Sequence, residues 1–275
     1  TVRTTSSARS RPADQAQSLR RMFGAEHLRF VPLVHNAFVP GAGAVMERLC
    51  AAAATLGRRT LVVDAADTAT PPHELASVDL SACVERLSPT VSYLAARGLP
   101  ARYLDNRATM AGFREALRGA AGPADIVLLH ASASDLRRIF AGRAPRPILL
   151  AGNRPTSLTD AYASMKLLAQ RLGALTYDLV IAADVGPRRA RRMAERLGEC
   201  ADHFLGSALR HCAVVDPLEP AREAPGPALR RLVAAQIDSD DDLPVPHAPL
   251  LPRLGAAGPA ADPLALLAAA AGRVN

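Results

Sequence analysis

Near-continuous apolar runs recur along this chain (FVPLVH, TLVVD, DIVLLH, PILLA and DLVIAAD), and helix-length segments separate them. A strand with one face in water alternates apolar and polar side chains. A strand that is apolar throughout is covered on both faces, as in a parallel sheet between two layers of helices. The alternation therefore predicts a doubly wound α/β fold with a mostly parallel sheet flanked by helices. Strands are expected at 30–35, 59–64, 101–104, 125–130, 146–150, 177–182 and 211–215. Helices are expected at 43–56, 109–118, 133–141, 157–171, 188–204 and 227–237. Residues 71–99 read as less regular, with one or two short helices.

The ends of the chain do not follow this pattern. Residues 1–13 (TVRTTSSARSRPA) are small, polar and basic, and read as a disordered tail. In 14–25, Asp14 is a candidate N-cap, and Ala16, Leu19, Met22 and Phe23 share one helical stripe. The α/β pattern occupies 29–237. Residues 238–275 open acidic (DSDDD) and then turn rich in Pro, Gly and Ala, as linkers and tails do.

Composition narrows the partners. Aromatics are 4% of the chain and Trp is absent, so the core must be Ala, Leu, Val and Ile. The net charge is +7, yet all but one of the 33 basic residues are Arg, and they are scattered. Scattered arginines without interleaved aromatics give no strong nucleic-acid signal. Even RRARRMAER (188–196) reads first as a solvated helix face, and Lys166 as a solvated helix residue. The segment PLALLAAAAGRV lacks the basic face of a membrane-surface helix, so membrane contact is expected to be weak at most. Cys50, Cys83, Cys200 and Cys212 show no CxxC or metal-like spacing, which fits a reducing cytoplasm.

Residues 30–67 are laid out as a nucleotide-binding βαβ unit: strand FVPLVH, loop NAFVPGAG, an apolar helix, then TLVVD. A phosphate-cradling loop needs glycines for close approach, a lysine for the phosphates and a Ser/Thr for Mg²⁺. This loop has Gly41 and Gly43, with Ala42 and Gly43 where lysine and threonine would stand. Asp64 ends the second strand. His130 follows the apolar run of DIVLLH, where a metal-holding acid would be expected, and imidazole is a poor Mg²⁺ ligand.

DQAQSLR ahead of the first strand and PTSLTDAY-x-x-x-K after PILLA, with ECADHFLGSAL and VVDPLEPAREA, resemble the FlhG (FleN/YlxH) family. These are MinD/ParA-like P-loop ATPases that control flagellar number and placement. The resemblance spans 14–237 and implies the MinD/ParA-like P-loop NTPase fold, with ATP and Mg²⁺ as cofactors. Alignment with the family loop puts Ala37 at the signature lysine, Ala42 at the phosphate lysine and Gly43 at the magnesium-binding threonine. Ala66 replaces an aspartate of the DAD element, His130 the Walker B aspartate, and Ala182 or Ala183 the adenine-contacting asparagine. Gly41 and Asp64 remain. The expectation is a vestigial nucleotide site (Ala37, Gly41, Ala42, Gly43, Asp64, Ala66, His130), no cofactor and no metal: a pseudo-ATPase.

In the family the DQAxxLR helix contacts FlhF, an SRP-type GTPase, and stimulates it. That assigns Asp14, Gln15, Ala16, Leu19 and Arg20 to partner binding. A glutamine can orient a water while staying uncharged. The plainer alternative is a helix that only docks Leu19, Met22 and Phe23 on its own domain. The resemblance thus implies a non-catalytic regulator of flagellar number or placement, with FlhF-type GTPase and flagellar basal-body or regulatory proteins as partners. It is expected to be cytoplasmic or peripheral at the cell pole, and a monomer or nucleotide-independent dimer. Two competing readings are an ATPase rebuilt around Arg48 or Arg58 and an Arg-rich DNA- or membrane-surface positioning protein.

Overall fold

The computed structural model describes residues 28–219 and 223–239. The expected tail 1–13, the 14–25 helix with Asp14, Gln15, Ala16, Leu19 and Arg20, and nearly all of the C-terminal tail lie outside these residues. One eight-stranded sheet has the order β3-β4-β2-β5-β1-β6-β7-β8. The strands are β1 (Arg29–Val34), β2 (Thr60–Asp64), β3 (Glu85–Arg86), β4 (Val91–Ala95), β5 (Ile126–Ala131), β6 (Ile148–Ala151), β7 (Thr176–Ala182) and β8 (Ala208–Val215). Every pairing is parallel except that of β3 with β4.

The helices are α1 (Ala42–Thr55), α2 (Ala111–Ala120), α3 (Ala133–Ile139), α4 (Pro155–Leu172), α5 (Pro187–Leu205) and α6 (Pro227–Asp238). Strand residues of alternate parity feed the two layers. Phe30, Val34, Leu61, Val127 and Leu129 pack with Phe113, Leu136, Met165, Met193 and Leu197 from α2 to α5. Val31, Leu33, Val62, Ile126 and Leu128 pack with Val45, Leu49, Leu229 and Leu232 from α1 and α6. The amphipathic α5 buries Ala190, Met193, Leu197 and Ala201 and exposes Arg188, Arg191 and Arg192. Arg191 pairs with Glu195 at 2.7 Å one turn on, as on a solvated face. Lys166 is likewise exposed on α4. Helix α4 stops at Gly173 with φ 76°, and Ala174 N–H bonds back to the Leu168 carbonyl.

One stretch departs from the expected elements. Residues 101–104 are not a strand: Pro100–Tyr103 forms a 3₁₀ turn, with Pro100 fixing φ at its start. The missing strand is β4, drawn from VSYLA, whose β-branched and aromatic residues suit a sheet. Apart from the buried Leu94 its side chains are only partly buried, so the apolar signal used for the central strands is diluted here.

Candidate functional site

Parallel α/β sheets bind ligands beyond the carboxyl ends of their strands, where the strand order reverses. In this sheet β1, β5 and β2 end side by side, with the loop 35–41 and the N-terminus of α1 above them. Asp64 and His130 are register partners in β2 and β5, and His130 is also the register partner of Leu33 in β1. Alternation therefore turns Asp64, His130 and His35 to the same face, towards α1.

The three side chains form a chain of hydrogen bonds. Nδ1 of His130 lies 2.8 Å from Oδ1 of Asp64, and Nε2 of His130 lies 3.2 Å from Nδ1 of His35. A carboxylate only accepts, so Nδ1 of His130 carries a proton and donates it to Asp64. Nε2 of His130 and Nδ1 of the half-buried His35 share one proton, and the tautomer decides which nitrogen carries it. His130 itself is 1% exposed. Burial, and then the neighbouring His130, hold the His35 pKa below its ordinary value, with Asp67 and Asp64 partly opposing them. Asp64 also accepts weakly from the Ala66 N–H at 3.4 Å. Ala66 is buried, so an acid at this position would have no water to face.

The loop is held by its own residues. Asn36, 2% exposed, donates from Nδ2 to the carbonyls of Leu150 and Ser157, both at 2.9 Å. Its Oδ1 accepts from the Phe38 N–H at 3.0 Å, and its carbonyl accepts from the Val39 N–H at 3.0 Å. Ser157, in the PTSLTDAY segment, completes the clasp by accepting from the Gly152 N–H at 2.6 Å. Ala37 and Gly43 are exposed. At Gly41 a Cβ would meet Cβ and Cγ of Pro217 at 2.7 Å, so the loop after β8 sits on the glycine face of the β1 loop. Replacing Asn36 by Ala removes three hydrogen bonds and leaves two buried carbonyls without this donor. The expected cost is about 2–3 kcal/mol, read by urea unfolding. A change below about 0.5 kcal/mol, the noise of ordinary surface substitutions, would mean that the clasp does not hold the loop.

The cations proposed for a rebuilt site are elsewhere. Arg48 is buried in α1 and pairs with Glu219 at 3.1 Å, with a further bond to the Glu223 carbonyl. Arg58 precedes β2, at the opposite edge of the sheet from the loop. Crossing a five-residue strand takes roughly 16 Å. Ala182 and Ala183 are buried at the end of β7. Among the described residues no group of His, Cys, Asp and Glu has the arrangement of a metal site. No described helix is long and apolar enough to cross a membrane.

Asp64, Ala66 and His130, named from the sequence, lie together in the structure, whereas His35, Asn36 and Pro217 were not named. A signal for His35 existed: FVPLVH and DIVLLH both end in histidine, and β1 and β5 turn out to be neighbours.

No family model matches the chain. The antiactivator FleN of Pseudomonas aeruginosa is 28% identical over 197 residues, covering 66% of this chain and 70% of FleN. The MinD cell division protein of Aquifex aeolicus superposes with a TM-score of 0.53 at 12% identity, over 80% of this chain and 100% of that one. Cobyrinic acid a,c-diamide synthase from Mycobacterium smegmatis, solved with ADP and magnesium, gives 0.54 at 16% identity over 80% and 100%. McdA of Cyanothece, solved with ATP, gives 0.52 at 10% identity over 77% and 96%. These structures share the fold, and FleN shares the sequence. The chain is thus similar in sequence to the antiactivator FleN and in fold to MinD.

Proposed function

We propose that this chain is a FlhG-like regulator of flagellar number or placement that works without hydrolysing ATP. It acts through residues 14–25 on a FlhF-type SRP GTPase. The observation that supports this reading most is the loop after β1. A phosphate cradle needs free N–H groups, an open glycine face and a cation. Here the Phe38 and Val39 N–H groups bond to Asn36, Pro217 stands against Gly41, and Arg48 is committed to Glu219. At the metal position the imidazole of His130 occupies Asp64 by hydrogen bonding, where a Mg²⁺ site would need a second hard oxygen donor. The residues present therefore do not fit a nucleoside triphosphate with magnesium. The name of the FleN relative, an antiactivator, points to regulation by binding.

Two measurements test the reading separately. Calorimetry with Mg-ATP is expected to show no saturable heat up to roughly 1 mM, the range of a 4 kcal/mol interaction. Saturable binding would overturn the non-catalytic part. A peptide spanning residues 10–25 is expected to stimulate GTP hydrolysis by a purified FlhF-type GTPase, and Gln15→Ala to remove that stimulation. Stimulation unchanged by Gln15→Ala would end the role assigned to the helix.

A further inference from the structure

Helices α1 and α6 both end near the amino ends of the strands, and between their last turns the sheet is incompletely covered. A partly open cleft of about 300 Å³ lies there. Val31 and Ile126 form its floor, and Leu49, Ala53 and Val233 form its walls. Thr60, the first residue of β2, also lines it and is 3% exposed. The Thr60 hydroxyl finds no hydrogen-bond partner of ordinary geometry among the described residues. Only the sulfur of Cys50 stands near it, and a thiol is a weak acceptor. A buried hydroxyl in an apolar cleft costs stability until an acceptor arrives.

The mouth of the cleft has a charge preference. Neither helix has a basic residue in its last turn, so both carbonyl ends lack a cation of their own. Asp238 closes α6, is exposed, and opens the acidic run DSDDD. Arg58 is exposed just past α1, and the α6 side remains acidic. The mouth thus suits an apolar segment that brings basic residues, and disfavours the acidic tail itself.

The chain enters β1 at this mouth, because Arg29 lies on the same face of the sheet as Val31. Upstream, outside the described residues, the sequence reads Leu19-Arg20-Arg21-Met22-Phe23. Five residues, 24–28, separate Phe23 from Arg29. They span up to roughly 17 Å, more than a helix diameter of about 10 Å, and Gly24 can take the reversal.

We propose that Leu19, Met22 and Phe23 dock in this cleft of their own chain. Arg20 and Arg21 then stand at the carbonyl ends of α1 and α6, and a backbone carbonyl of the segment accepts from the Thr60 hydroxyl. Leu19 and Arg20 are also assigned to the GTPase contact. Resting on that reading, docking withholds the segment from its partner.

Thermal melts of the full chain test the docking. Phe23→Asp is expected to lower the melting temperature by about 4 °C, and Thr60→Val by about 2 °C. The two together should lower it no further than Phe23→Asp alone, because both remove one contact. In an empty cleft Thr60→Val would leave the melt unchanged or raise it. A Phe23→Asp variant that melts with wild type, or two shifts that simply add, overturns the docking. Coupling of Thr60→Val to Leu243→Asp in place of Phe23→Asp gives the cleft to the C-terminal tail and overturns it as well. The withholding is read on a purified FlhF-type GTPase. The full chain is expected to stimulate about fivefold less than an equimolar peptide of residues 10–25, and the cleft-filling Ala53→Leu to close that gap. A full chain as active as the peptide, or a gap that a folded Ala53→Leu leaves unchanged, overturns the withholding. A peptide without any effect ends the GTPase role itself, while the melts still decide the docking.

Discussion

Replacing Asp178 by Ala is expected to lower stability by about 3–5 kcal/mol, the range for breaking a buried charge network by removing one member. Asp178 is fully buried in β7 and joins three elements. Its Oδ1 accepts from both the backbone N–H and Nδ1 of His211 in β8, each at 3.0 Å. Its Oδ2 accepts from Gln236 of α6 at 2.8 Å, and Nε of Arg146 stands 3.4 Å away. Gln236 in turn donates to the Arg146 carbonyl at 2.9 Å. Without the carboxylate, donors from β8, α6 and the segment before β6 converge on an apolar methyl group. For a domain of this size the melting temperature should fall by roughly 10 °C. Hydrogen exchange should quicken first in α6 and β8, which the network fastens to the sheet. Asp178→Asn keeps one acceptor oxygen but turns an amide N–H₂ on a donor, so it should cost less, about 1–3 kcal/mol. If Asp178→Ala melted within about 2 °C of wild type, less than 1 kcal/mol by the same scale, the network would be an ornament of the fold.

The sheet was legible because its central strands are apolar throughout and can lie nowhere but between helices. The strands β1, β2, β5, β6 and β7 all fall within a residue or two of their expected places. Beyond them the signal fails for physical reasons. Strand β4 is half-exposed, so VSYLA carries no continuous apolar run, while the more apolar-looking ARYL is bent into a turn by Pro100. The site follows the same logic. Asp64 and His130 could be placed because each ends a recognisable strand. His35 could not be joined to them without the strand order that makes β1 and β5 neighbours. Pro217 acts on Gly41 across 176 positions of sequence, and Asn36 reaches Leu150 and Ser157 across more than a hundred. Contacts of that separation leave no trace in local periodicity. The loop's missing lysine was visible in the residues; that the same space is closed by Asn36 and Pro217 was not.

Placing an acid at position 130 should harm this protein. His130→Asp sets a second carboxylate beside Asp64, at a position that is 1% exposed, and takes from His35 its hydrogen-bonding partner. Two carboxylates sharing a site cannot both ionise cheaply, so one is pushed well above its usual pKa. In the unfolded chain both ionise normally, so the folded variant binds more protons than the unfolded one through the acid range. Its stability therefore falls as pH rises across that window, and the loss is complete above the raised pKa. At pH 8 the cost is expected to be about 3 kcal/mol or more, shrinking towards pH 4.5. The wild type should respond with the opposite sign near neutrality. His35 has a folded-state pKa below 6.5, so the unfolded chain takes up the proton first as pH falls. This contribution is present above pH 6.5 and is lost as pH drops towards the folded value. Thermal melts of both proteins between pH 4.5 and 8 measure the two slopes. A His130→Asp variant as stable as wild type at pH 8 would show that the space beside Asp64 accepts a second carboxylate, and that the hydrogen-bonded histidines are not what stabilises it there.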